Sequence, residues 1–210
     1  MKLFLASSLN QTMQKFDACI EGGLRGKTVL FVANAADPYD GTQEWVEDDR
    51  VAFEKFGCTV QEADLRTFDE DKFCNLLDTS DIIHFCGGSV LYLMSLIREK
   101  GLEDVLKEYV LDEKIIYSGT SAGSMIPAQD LNLNRFEDEE AEFVGKMSDW
   151  SGLGFVNFSI LPHAGTEYFV ESNKKMIGHL PEYPQAVVVL FDNQAVWCSD
   201  GKFEVIEISS

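Results

Sequence analysis

The chain has 210 residues, 45% of them hydrophobic and 11% aromatic, enough apolar material for one globular domain with its own core, and a composition that excludes a disordered chain. It carries 36 acidic against 17 basic side chains, a formal net charge of -19. A field of that sign repels phosphate backbones and anionic lipids, which excludes nucleic acid and membrane surfaces as partners.

Cys19, Cys58, Cys74, Cys86 and Cys198 are widely spaced, odd in number and form no CxxC pair. That argues against a disulfide framework and a zinc site, and for a reducing, cytoplasmic compartment. Leu3–Ala6 is too short for a signal-peptide core, and no apolar run reaches the length of a membrane helix.

In chain order, Lys2–Ala6 reads as a buried strand and Asn10–Gly22 as a helix. Lys27–Asn34 is a strand rich in β-branched and aromatic residues. Thr42–Phe56 spaces Trp45, Val46, Val51, Ala52, Phe53 and Phe56 as a helix. Trp45, Phe53 and Phe56 read as its core face rather than a binding cage. Cys58–Leu65 is a strand, Phe68–Leu77 a short helix, and Asp81–Cys86 a strand feeding Gly87-Gly88-Ser89. Helices follow at Val90–Glu99 and Leu102–Leu111. A strand ends at Gly119-Thr120-Ser121-Ala122-Gly123. The acidic stretch 132–149 is less periodic. Its run Phe136–Phe143 reads as a solvated loop or helix, with a lid selecting basic or amine-bearing substrates as the alternative. Phe158–His163 is a strand, Thr166–Leu180 a helix, and the apolar run Ala186–Phe191 leads to a closing hairpin, Gln194–Cys198 with Phe203–Ile208. Strand–helix alternation with fully apolar strands predicts a parallel sheet covered on both faces, in a single domain over 1–210.

The chemistry gathers at strand ends. Gly119-x-Ser121-x-Gly123 after a strand and before a small-residue segment is the context of a nucleophile elbow. Its glycines avoid Cβ clashes in a tight turn and tolerate unusual φ/ψ, and the Ala122 N–H faces a developing oxyanion. An ordinary turn fits the pentapeptide equally well on its own. Gly87-Gly88 ends another strand, and in a parallel sheet both turns lie at the carboxyl edge where such sheets bind ligands. The Gly88 N–H is then a second oxyanion donor, or the pair simply fits strand to helix.

A serine nucleophile needs a base. His84 lies mid-strand and reads as buried packing, and His179 reads as a surface residue. His163 ends a strand, which puts it at the edge of Ser121. Asp192, after Ala186–Phe191, is the acid candidate to orient the imidazole. Asp130, Asp138 and Asp149 keep the alternative order serine, acid, histidine open, and Asp192 also fits a hairpin-turn role. Cys86 reads as an inert buried thiol. A serine at 121 disfavours an amidotransferase, whose elbow nucleophile would be cysteine.

Taken together, Tyr117–Met125 (YSGTSAGSM), Gly152–Phe155 (GLGF), Leu161–His163 (LPH), Cys86–Gly88 (CGG) and Leu190–Trp197 (LFDNQAVW) resemble the dipeptidase E and cyanophycinase family of serine peptidases over essentially the whole chain. The resemblance implies a flavodoxin-like three-layer sandwich with a mostly parallel central sheet, similar to class I glutamine amidotransferases. It implies nucleophile Ser121, base His163, acid Asp192, oxyanion donors Gly88 and Ala122, and no metal or organic cofactor. It further implies hydrolysis of small peptides, with an acidic N-terminal residue as one preference. Where the family's typical dipeptidases follow the glycine turn with Asn-Thr, this chain has Ser89-Val90, which places Ser89 at the substrate and leaves the P1 residue open. The rival readings are an esterase or amidase on a non-peptide substrate and a non-catalytic binding protein of the same fold.

Overall fold

A computed structural model describes residues 1–208. Seven strands form one sheet: β1 (Leu3–Ala6), β2 (Thr28–Val32), β3 (Thr59–Ala63), β4 (Ile82–Phe85), β5 (Ile116–Thr120), β8 (Gln194–Ser199) and β9 (Lys202–Glu207). Their spatial order is β3-β2-β4-β5-β1-β8-β9. The first five run parallel, and the C-terminal pair is an antiparallel hairpin added alongside β1. The remaining strands, β6 (Phe158–Leu161) and β7 (Ala186–Val189), pair parallel with each other in a separate two-stranded sheet. The strand ending at His163 therefore lies beside the main sheet, not within it.

β1 and β4 are buried along their whole length, as strands covered on both faces must be. One face is covered by α1 (Leu9–Cys19) and α2 (Glu44–Lys55). Leu9, Thr12, Met13 and Phe16 recur at helical spacing on the buried side of α1, and Phe16 stacks on Phe4 of β1 at 4.2 Å. α2 has Glu44 and Glu47 in its first turn and Lys55 in its last, agreeing with its dipole. It stops at Phe56-Gly57, where Gly57 takes a left-handed φ of 83°. The opposite face carries α3 (Glu70–Asp78), α4 (Val90–Glu99) and α5 (Glu103–Leu111), whose apolar sides merge with β6 in the larger core. Two cores on two faces make the three-layer sandwich.

Parallel strands end at one edge, so the residues after β1, β4 and β5 converge: Ser7, Gly87-Gly88 and Ser121. The paired ends of β6 and β7 deliver His163 and Asp192 to the same place. That pair is extended beyond its ladder, with the Leu190 N–H donating to Leu161 O at 3.0 Å and Ala164 N–H to Leu190 O at 2.9 Å. No helix among the described residues is long and apolar enough to cross a membrane.

Candidate active site

Ser121 follows β5 at φ 49° and ψ -112°, a left-handed conformation that costs a non-glycine residue on the order of 1–3 kcal/mol. The strain falls on the serine; the glycines beside it serve close approach. A Cβ on Gly119 would lie 2.2 Å from the Gly123 carbonyl oxygen, and one on Gly123 would lie 2.0 Å from that of Phe85. The turn is bolted from behind by the Tyr117 hydroxyl, which donates to Gly123 O at 2.5 Å. Gly119→Ala should destabilise the protein by about 3 kcal/mol or more, since the atom it meets is backbone and cannot step aside; chemical denaturation against the parent reads this directly. The helix after the elbow, α6 (Ala122–Met125), is one turn long, so any help to an oxyanion comes from individual N–H groups rather than a long dipole. Neither the Ala122 nor the Gly88 N–H donates to another protein group among the described residues.

His163 Nε2 lies 2.9 Å from Ser121 Oγ, and its Nδ1 lies 2.7 Å from Asp192 Oδ1. His163 also has a left-handed φ, 60°, and its ring is stacked on Phe169 at 4.3 Å. Asp192 is held from both sides: the Ser7 hydroxyl donates to Oδ1 and the Thr166 hydroxyl to Oδ2, each at 2.9 Å. Ser7 Oγ in turn accepts the His163 backbone N–H at 2.8 Å. Partial burial pushes the Asp192 carboxyl up, but the hydrogen bond and charge of His163, with the Ser7 and Thr166 hydroxyls, outweigh it and hold the pKa at about 2. An ionised carboxylate on Nδ1 keeps the proton there and presents Nε2 to the serine hydroxyl as an acceptor.

The sequence profile of peptidase family S51, the dipeptidase E family, matches residues 3–206. The chain belongs to that family. An uncharacterized peptidase of Listeria monocytogenes is 29% identical over 175 residues, 83% of each chain. One of Pasteurella multocida is 28% identical over 176 residues, 84% of this chain and 83% of its own. Among solved structures, a candidate peptidase E protein from Listeria monocytogenes superposes with a TM-score of 0.88 at 25% identity, over 99% of this chain and 98% of that one. A peptidase from an acI-B1 Actinobacterium shares the fold, with a TM-score of 0.66 at 17% identity over 99% and 88% of the two chains.

In this S51 peptidase the Ser121 and His163 side chains open on a cavity of about 410 Å3 that Gly87 and Gly88 also line, within the size range of small-molecule sites. Gly87 sits against the serine: a Cβ there would lie 3.2 Å from Ser121 Cβ. Trp45 departs from its expected core role. It is 39% exposed, it lines this cavity, and its indole N–H donates to Gly87 O at 3.2 Å. Helical spacing identified the face of α2, but that face runs past the core and over the sheet edge.

Ser89 is the second departure. It is buried, and its hydroxyl donates to Glu140 Oε2 at 2.7 Å while accepting the Tyr92 N–H at 3.1 Å. Both roles are spent on capping α4, so it offers nothing to a substrate. Three members of the acidic run, Glu137, Glu139 and Glu140, line the cavity, together with Asp48 and Asp49. None of the lining residues is a lysine or arginine. Glu139 accepts hydroxyl hydrogen bonds from Tyr39 and Tyr168, and burial, with Glu139 and Asp138 nearby, raises the Glu137 carboxyl against the pull of the Ser172 hydroxyl. The run is thus a wall of the site made of short helical turns, with Asp138, Glu139, Ala141 and Glu142 exposed to solvent and Glu140 and Phe143 buried.

His84 is fully buried as expected, but it is paired rather than merely packed: Nε2 lies 3.3 Å from Asp49 Oδ2 and Nδ1 3.0 Å from Ser118 Oγ. Asp49, His84 and Cys86 bring three potential ligand atoms within 4.8 Å of one another. The set fits a metal poorly. Both imidazole nitrogens are already engaged, and burial pushes the Cys86 thiol well above its ordinary range, keeping it protonated. Asp130, Asp138 and Asp149 have other partners: Asn132, Lys175 and Ser151. The contributions of Thr166, Tyr39 and Glu140 carried no sequence signal of their own; only Ser7, just after the predicted buried strand Lys2–Ala6, stood where the topology pointed.

Proposed function

We propose that the chain is a serine-type peptidase that hydrolyses short peptides through an acyl-enzyme on Ser121. The observation carrying this reading is the unbroken hydrogen-bond chain Ser121–His163–Asp192, opening on a cavity. Ser121 Oγ attacks the scissile carbonyl as His163 Nε2 takes its proton. The Gly88 and Ala122 N–H groups receive the oxyanion. His163 then protonates the leaving amine, and water repeats the sequence in reverse roles while Asp192 holds the imidazolium.

The cavity's electrostatics bear on which peptides enter. An acidic N-terminal residue, the preference carried by the family resemblance, would bring a second anion toward Asp48, Glu137 and Glu139, with no lining cation to receive it. A free α-ammonium, with a neutral or basic first side chain, is the complementary group. Against a panel of dipeptide and tripeptide amides, those beginning with Lys or Ala should be cleaved with kcat/KM about tenfold or more above those beginning with Asp, and N-acetylation should suppress cleavage. Preferential cleavage of the Asp series would overturn this charge argument. A wild-type protein that is folded yet unreactive to a fluorophosphonate would overturn the serine-peptidase reading altogether and favour a non-catalytic binder. Hydrolysis of simple esters with no peptide cleaved would favour the esterase.

A further inference from the structure

The start of α4 lies directly after the Gly87-Gly88 turn, and a helix start has N–H groups with no partner inside the helix. Here every one is accounted for. The Ser89 carbonyl takes the Leu93 N–H at 3.2 Å and the Ser89 hydroxyl takes that of Tyr92 at 3.1 Å. The first two, Val90 and Leu91, go to a residue about fifty positions away: Glu140, at 2.5 Å and 3.2 Å. The proton of the Ser89 hydroxyl goes to the same carboxylate at 2.7 Å. Glu140 is 3% exposed, and among the described residues no lysine or arginine pairs with it. Its three donors all belong to the segment that continues from Gly88.

The turn itself is tight. Gly88 has φ 141°, and a Cβ there would lie 2.2 Å from the Ala35 carbonyl oxygen. Ser89 N–H donates to that oxygen at 2.8 Å and Trp45 holds Gly87 O from the other side. Trp45 and Ala35 fix two points of the turn. The third, at its exit into α4, is fixed by Glu140, from the same acidic wall whose Glu137 and Glu139 face the cavity.

We propose that Glu140 is a positioning residue for the hydrolytic reaction: its buried carboxyl group, by gathering Ser89 Oγ and the Val90 and Leu91 N–H groups, holds the glycine turn so that the Gly88 N–H points at the place where the oxyanion forms. The inference rests on the serine-peptidase reading above. It makes the acidic wall part of the catalytic geometry as well as of the substrate pocket, because one segment supplies both.

A fluorophosphonate tests this without a known substrate, since its phosphoryl oxygen occupies the oxyanion position as the serine is modified. The second-order labelling constant is measured for wild type, Glu140→Ala, Glu140→Gln and Ser89→Ala, at a temperature where circular dichroism shows each to be folded. Glu140→Ala should label about 10- to 100-fold more slowly, a misaimed donor costing less than the 100- to 1000-fold of a deleted one. Glu140→Gln, whose amide oxygen still accepts from part of the donor set, should fall between it and wild type. On any cleaved peptide the loss should sit in kcat with KM little changed, because an oxyanion contact exists only in the transition state. A purely structural Glu140 would lower Tm and leave labelling of the folded variants at the wild-type rate, and that result overturns the proposal. So does a rise in KM at constant kcat. Should Glu140→Ala not fold, Glu140→Gln and Ser89→Ala carry the same comparison, and wild-type labelling rates in both overturn it. Failure of the wild-type protein to label strikes instead at the parent reading, so the two failures are distinguishable.

Discussion

Ser121→Ala should cost peptide hydrolysis a factor on the order of 10^6, the scale seen when the nucleophile of a serine–histidine pair is removed. The hydroxyl is the group that His163 Nε2 meets at 2.9 Å. Without it the remaining N–H donors can only polarise a carbonyl for attack by water. The fold should survive, because Ser121 packs its backbone rather than its side chain into the elbow: its N–H donates to Ala6 O at 3.0 Å and its carbonyl accepts from Ser124 N and Met125 N. The same position yields a second, sharper expectation. At φ 49° and ψ -112° any side chain is strained, so Ser121→Gly should be equally inactive yet about 1 kcal/mol more stable than Ser121→Ala, the relief of strain being partly offset by glycine's greater freedom when unfolded. Denaturation curves of the two variants decide it. A glycine variant less stable than the alanine one would mean that the elbow stores no strain, and detectable peptide turnover by either would remove Ser121 from the chemistry.

That strain explains part of what the sequence could and could not convey. The pentapeptide announced a tight turn, and two glycines suggested where unusual dihedrals would fall. They fall instead on the serine, and the glycines are needed because Phe85 O and the elbow's own carbonyl lie within 2.2 Å of where their Cβ atoms would be. Spacing in one chain cannot report a contact made across β4 and β5. Strand-end logic singled out Ser121, Gly88, His163 and Asp192, which the structure brings to one edge, since it needs only the direction of parallel strands. It placed His163 by the end of its own strand and was indifferent to the fact that β6 pairs with β7 outside the main sheet.

Side chains whose role is set by a distant partner were not legible. Trp45 shares a helical stripe with Phe53, yet Phe53 is fully buried while Trp45 is 39% exposed at the cavity. A hydrophobic stripe records that a face is apolar, not where along the helix the core ends. Glu140 looked like one of five acids in a solvated run. Its burial follows from three unpaired donors at the start of α4, which no local pattern reveals. Ser89 was misplaced for the complementary reason: the glycine turn pointed to the substrate, while the hydroxyl directly after it was claimed by the helix cap.

Asp192→Asn should lower kcat/KM by about 10^3–10^4 with the imidazole still in place, in line with removal of the acid from comparable triads. The environment of Asp192 says why. Its Oδ1 receives both His163 Nδ1 and the Ser7 hydroxyl, and its Oδ2 the Thr166 hydroxyl. An asparagine must turn its NH2 toward one side of that set. Facing His163, it forces the proton onto Nε2 and leaves no acceptor for the serine. Facing Thr166, it keeps the tautomer but has no charge to offset the imidazolium. Either way the general base is impaired while binding is untouched, so the loss should appear in kcat. The same carboxylate gives a pH signature. Its pKa is depressed from the ordinary 3.8 to about 2, so its stabilising contribution, about 2 kcal/mol, is fully present above pH 5 and is lost as pH falls through 4 toward 2. The wild-type protein should therefore exceed Asp192→Asn in unfolding free energy at pH 7, and the gap should narrow to about half by pH 3 and close toward pH 2 and below. A gap unchanged between pH 7 and pH 3 would show that Asp192 is not held ionised by its neighbours, and the tautomer argument for His163 would fall with it.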